Sequence, residues 1–267
     1  MPHLTLSENL WALVGGLVTG ALFSLVGSGG SALAVPLLTT LVGLSRVRVA
    51  MGTTAVAMAA TAIMSTVLHA RRGAVLWPVA LSFTLPGIAG VFLGAHLQND
   101  LPSHLLLTLL GLVLLFNASM MVGMRADGMG WKPMLRIPVL VRFGPFGLAV
   151  GVLAGMLGMG GGFLALPSMV LGGVSLSSAI GSSVVSVGSL GVASAISYSL
   201  RGLVDWHVVV EYVAGGLFGS ILTAPVARRL MGRRRTLSMM LAVLLTGVSL
   251  YLIANNVASL YTPHGVI

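Results

Sequence analysis

Ionisable groups are scarce in this chain, and the few that fall inside apolar runs are where chemistry would be done. Of 267 residues, five are Asp or Glu and six are His, with no cysteine. His207 and Glu211 lie four apart within one apolar run, and Asp205 precedes them. That spacing places both on one helix face, which suits a proton relay or a substrate gate. The bland alternative is an interfacial polar cluster beside Trp206. His69 and His96 sit near the ends of apolar runs and read as interfacial. The histidines have no metal-ligand spacing, and the lack of cysteine removes disulfides, thiolate metal sites and cysteine nucleophiles. No cofactor is expected.

A second kind of chemistry needs no charged side chain. The stretch VGSGGSALAVP (Val26 to Pro36) recurs as LGMGGGFLALP (Leu157 to Pro167). Gly27, Gly29 and Gly30 overlie Gly158, Gly160 and Gly161, while Pro36 overlies Pro167; Ser28 and Ser31 stand where the second copy has Met159 and Gly162. A glycine cluster ends a helix. Inside an apolar run such a break is tolerated only where protein or a watery cavity surrounds it, and a break in each half of a duplicated chain points to a transport site. Half-helices starting near Ser31 and Gly162 would aim free N–H groups at a shared midplane cavity suited to an anion. The glycines could instead serve helix packing, although packing glycines are usually spaced four apart in a continuous helix.

Hydroxyls follow each break. Thr53 and Thr54 match Ser182 and Ser183, and Ser186 continues a small-residue stripe. They could donate to substrate oxygens, or they could bond back to their own helices. The matched pair Arg72 and Arg201 could guard two entrances for an anion, or could reach out to headgroups from helix ends.

The elements that must position these groups are membrane helices. The chain is 57% hydrophobic and 7% charged, against about a quarter charged in a soluble domain. Apolar segments run over 10–26, 31–44, 50–68, 77–97 and 101–122, and again over 143–157, 162–174, 179–200, 206–227 and 237–255. Residues 1–122 and 143–267 are thus two repeats, joined by a basic linker at 123–142. The N-terminus has neither the basic region nor the cleavage site of a signal peptide, so the first run reads as retained. The net charge of +9 lies in short loops, where it orients spans and meets anionic headgroups, so no nucleic-acid partner is expected. Phosphate-loop nucleotide binding is rejected too, because no lysine follows either glycine cluster.

Orientation depends on whether each broken segment returns to its starting side. If it returns, Arg71, Arg72, Arg125, Lys132, Arg136, Arg142 and the arginines from Arg228 to Arg235 share one face, leaving Arg46, Arg48 and Arg201 opposite. If it crosses, the cations divide evenly. The positive-inside rule selects the returning model. Each half then has five apolar segments, an odd number, which predicts two inverted repeats, each opening with a V-shaped helix, and both termini outside.

The two glycine stretches, with AMGTT (Ala50 to Thr54) and AIGSS (Ala179 to Ser183) after them, make the chain resemble the TauE/SafE family of sulfite and organosulfur anion transporters. The resemblance implies an inner-membrane carrier of sulfite, sulfoacetate or a related sulfonate, with no enzymatic activity. The expected partners are the small anion, the bilayer, a coupling proton or cation, and a second copy of the chain as a homodimer. Another small organic anion is the alternative substrate, and a non-transporting intramembrane enzyme or assembly factor the alternative class.

Overall fold

Lipid offers no hydrogen bonds to a backbone, so apolar runs of this length are stable as helices that satisfy their own amides. The computed structural model describes residues 6–26, 33–40, 42–43, 46–71, 75–123, 139–229 and 234–261. All regular structure among them is helical: α1 (Leu6–Val26), α2 (Ala34–Thr40), α3 (Val47–Arg71), α4 (Trp77–Leu97), α5 (Ser103–Gly123), α6 (Val139–Leu157), α7 (Gly162–Leu171), α8 (Leu176–Leu200), α9 (Trp206–Arg229) and α10 (Arg234–Tyr261). Among the described residues, six helical stretches are long and apolar enough to cross a membrane, namely Trp77–Asp100, Ser103–Met120, Val139–Leu157, Ser178–Leu200, Trp206–Thr223 and Met239–Asn256, with shorter apolar stretches at Leu10–Leu22 and Val47–Ile63. Outward-facing Phe218, Ile221 and Val243 are among the many large apolar side chains left exposed, as expected of a surface whose solvent is lipid.

Two close helix pairs, α6 with α4 and α1 with α9, account for much of the packing. A Cβ on Gly147, Gly151 or Gly155 of α6 would strike the carbonyl oxygens of Phe83, Gly87 and Val91 of α4 in turn. On α1, Gly16 and Gly20 meet the carbonyls of Tyr212 and Gly216 on α9 in the same way. Because both residue numbers rise together, α6 runs parallel to α4 and α1 parallel to α9. Bare backbones at glycine allow this approach, the usual device for joining helices in lipid.

The centre is the crossing of α3 and α8. Ala59 faces Gly191 and Ala62 faces Gly188, while Thr66 Oγ1 donates to the Val184 carbonyl at 3.1 Å and Gly52 lies against Leu203 and Tyr198. These numbers run in opposite senses, so α3 and α8 are antiparallel. On the periphery α5 packs on α10, where Ser249 Oγ donates to the Gly111 carbonyl at 2.6 Å.

Candidate functional site

The second glycine break fits together because three of its residues take backbone angles that side chains disfavour. Gly158, Gly160 and Gly161 have φ of +67°, +63° and +69°, the left-handed region that glycine enters without penalty. Gly158 N–H still closes the last turn of α6 on the Ala154 carbonyl, and the Gly161 carbonyl accepts the first bonds of α7 from Leu164 and Ala165. Among the described residues, the amides of Met159, Gly160 and Gly161 have no acceptor. The turn is buried, and a buried amide without a partner is unusual in a folded protein.

The surroundings place that turn deep in the molecule. Gly160 lies against Val187 and Gly191 near the middle of α8, and Gly161 against Val150, Ala154 and Leu190. Gly158 abuts the Met51 carbonyl of α3, and its own carbonyl accepts from Thr54 Oγ1 at 3.1 Å. After α7 the chain comes back beside the start of α6: the space a Cβ would need at Gly172 is filled by the Phe143 ring, and Gly173 lies next to the Arg142 guanidinium. Pro167 falls just past the first turn of α7, and Pro36 in the first turn of α2.

The expected hydroxyls are all buried and mostly tie segments far apart in the chain. Thr53 Oγ1 accepts from the Asp205 amide at 3.1 Å, just before α9. Its counterpart Ser182 Oγ accepts from the Leu76 amide at 2.9 Å, just before α4. Ser186 Oγ accepts from Thr84 Oγ1 at 3.0 Å and donates to the Ser182 carbonyl, while Ser183 Oγ bonds back to Ile180 at 3.0 Å. Thr54 is the hydroxyl that touches the break itself.

Gly27, Ser28, Gly29, Gly30, Ser31 and Arg72 lie outside the described residues. His207 and Glu211 do face each other, with Nε2 to Oε1 at 3.7 Å, and the histidine side chain is far more exposed than the carboxylate. Glu211 Oε2 is buried without a partner. Asp205 is occupied as a cap, its Oδ1 accepting from the amides of His207 and Val208. Arg201 does not stand alone at a helix end: it stacks on Tyr198 at 4.7 Å and donates to the Ala95 carbonyl at 2.7 Å.

Sequence reasoning missed the fastening of the break. Gln98 is fully buried; its Nε2 donates to the Met156 carbonyl at 2.9 Å and to Tyr198 Oη at 2.8 Å. Tyr198 Oη in turn donates to the Gly155 carbonyl at 2.8 Å. These side chains cover the carbonyls that end α6, a need every helix terminus has. A lone Gln closing an apolar run was the available signal.

A family model described as sulfite exporter TauE/SafE matches residues 12–252. A probable membrane transporter protein of Xylella fastidiosa strain 9a5c is 34% identical over 248 residues, covering 92% of this chain and 95% of that protein. The probable membrane transporter protein YdhB of Bacillus subtilis is 27% identical over 77% of this chain and 84% of its own length. MJ0441 of Methanocaldococcus jannaschii, also a probable membrane transporter protein, is 27% identical over 76% of each. No solved structure matches. With helices that can cross a bilayer, a buried glycine break and this likeness over nearly its whole length, the chain belongs to the TauE/SafE sulfite exporter family of membrane transporters.

Proposed function

We propose that the protein is a secondary transporter of the inner membrane that carries a small sulfur-containing oxyanion, sulfite or an organosulfonate, by alternating access between two inverted repeats. The observation that carries the anion reading is the buried turn from Gly158 to Gly161, whose amides at Met159, Gly160 and Gly161 have no acceptor among the described residues. Such amides at the start of a half-helix bind negative charge without a side-chain cation. The family's name supports a sulfur oxyanion as the substrate. Thermal stabilisation of the purified protein across sulfite, sulfate, sulfoacetate and chloride tests the choice, with sulfite or sulfoacetate expected to stabilise most. Stabilisation by chloride alone would set the substrate class aside.

The inverted arrangement is supported by helix direction. Helices α4 and α9 correspond in the repeat. The neighbouring pair α3 and α8 correspond too, yet run oppositely. The approach of Gly172 to Phe143 supports a broken segment that returns to its starting side. Tags at Asp127 and at the C-terminus are therefore expected on opposite faces, Asp127 inside. Both tags reporting the cytoplasm would rule the arrangement out.

Glu211, with one carboxylate oxygen buried and unpartnered in the span of α9, is the proposed proton carrier, and His207 its exposed neighbour. Glu211→Gln is expected to abolish pH-driven uptake while sparing substrate exchange, because exchange needs no net proton movement. Uptake that still responds to pH in the variant would return Glu211 to the role of an interfacial polar residue.

A further inference from the structure

Two arginines converge where α4 passes into α5. Arg48 Nη2 donates to the carbonyls of Asn99 at 3.1 Å and Leu101 at 2.9 Å. Arg201 Nη1 donates to Asn99 Oδ1 at 3.1 Å and the Ala95 carbonyl, and its Nε to the Ser197 carbonyl at 3.0 Å. Both guanidinium groups thus touch the same residue, one from α3 and one from the end of α8. Each keeps a buried donor, Arg48 Nε and Arg201 Nη2, with no partner among the described residues.

Charge makes the arrangement more telling than a pair of helix caps. Among the described residues, neither arginine forms an ion pair with a carboxylate. Asp100 and Asp205, both at this end, form no ion pair with them among the described residues, and Arg46 adds a further exposed cation. Two half-buried cations held together repel each other, and a missing acceptor for each donor is what an oxyanion supplies in the shape guanidinium recognises. In the repeat, Arg201 corresponds to Arg72 but Arg48 to Ser177, so Arg48 has no arginine counterpart in the sequence.

We propose that Arg48 and Arg201 form an oxyanion-binding station at this end of the bundle, distinct from the glycine turn. It takes one sulfite, sulfonate or phosphate group on the two half-buried guanidinium groups, whose charge no carboxylate offsets among the described residues. The inference rests on the transport reading for its substrate but not for its chemistry. The station concentrates the anion beside the Gln98 and Tyr198 fastening of the break, on the face opposite the basic linker.

The test compares wild type with Arg48→Gln, Arg201→Gln and the double variant in oriented proteoliposomes, presenting labelled sulfite to each face separately. Each single variant is expected to raise KM about tenfold for sulfite offered at the Arg48 and Arg201 face, the worth of one charge-assisted bond. KM from the other face is expected to change less. A double variant with unchanged KM at both faces, or with equal losses at both, overturns the station. A lipid arm identifies the other source of the same chemistry: native mass spectrometry should find phosphatidylglycerol retained by wild type and lost from the double variant if a headgroup fills the site. If wild type carries no sulfite, the substrate reading fails by itself. The station is then overturned if neither phosphate stabilisation nor lipid retention falls in the double variant.

Discussion

Gly151→Leu is expected to leave no monodisperse protein. The Cβ of any residue at 151 would fall on the Gly87 carbonyl of α4, backbone rather than a movable side chain. The helices would have to separate along their whole contact, because Gly147 and Gly155 press on Phe83 and Val91 in the same manner. Overpacking typically costs about 1–3 kcal/mol, and a clash with backbone along a whole helix contact puts this case in the exceptional range above about 4 kcal/mol. Gly20→Leu is expected to do the same, since Gly20 meets the Gly216 carbonyl as Gly151 meets Gly87. Size-exclusion profiles and melting temperatures of both variants check it. Normal profiles would mean that α1 and α6 can pack without backbone contact.

Gly160→Ala is expected to behave in the opposite way, folding well and transporting at least about 100-fold more slowly, the worth of one or two lost charge-assisted bonds. The nearest atoms to a Cβ there are Gly191 Cα at 3.5 Å and the Val187 carbonyl at 3.7 Å, ordinary contacts. The left-handed angle at Gly160 would cost alanine about 1–2 kcal/mol, tolerable for a well-packed bundle. The methyl group would narrow the space between the turn and α8 and pull the backbone from the angle that exposes its amide. Gly161 is a poorer probe, because Val150 Cγ1 lies 3.0 Å and Ala154 Cβ 3.2 Å from a Cβ there. Loss of activity at Gly161 would mix packing with binding.

The sequence made the helices and the break readable for a simple reason. A span must be apolar and a break in it must be glycine-rich, and both are composition signals; the helix bounds at Trp77–Leu97 and Trp206–Arg229 follow the apolar runs closely. Pairing was not readable, because helices apolar all round carry no stripe that says which face meets which neighbour. That α1 packs on α9 and α6 on α4 follows from carbonyls meeting bare Cα atoms at Gly16, Gly20, Gly147 and Gly151, and four-residue glycine spacing was the overlooked clue. The hydroxyls at Thr53 and Ser182 were legible as equivalents, yet their bonds to the Asp205 and Leu76 amides depend on where another repeat's loop lands. The same holds for Arg48, which acts on Asn99 through a contact between segments far apart in the chain.

Counterflow of labelled sulfite in proteoliposomes, run side by side on wild type and Gly160→Ala, tests the central claim most directly. Vesicles loaded with unlabelled sulfite and carrying wild-type protein are expected to accumulate label transiently, while Gly160→Ala vesicles with equal amounts of folded protein stay at the protein-free level. Equal accumulation by both proteins would contradict the account, since the glycine turn would then have no part in binding the anion.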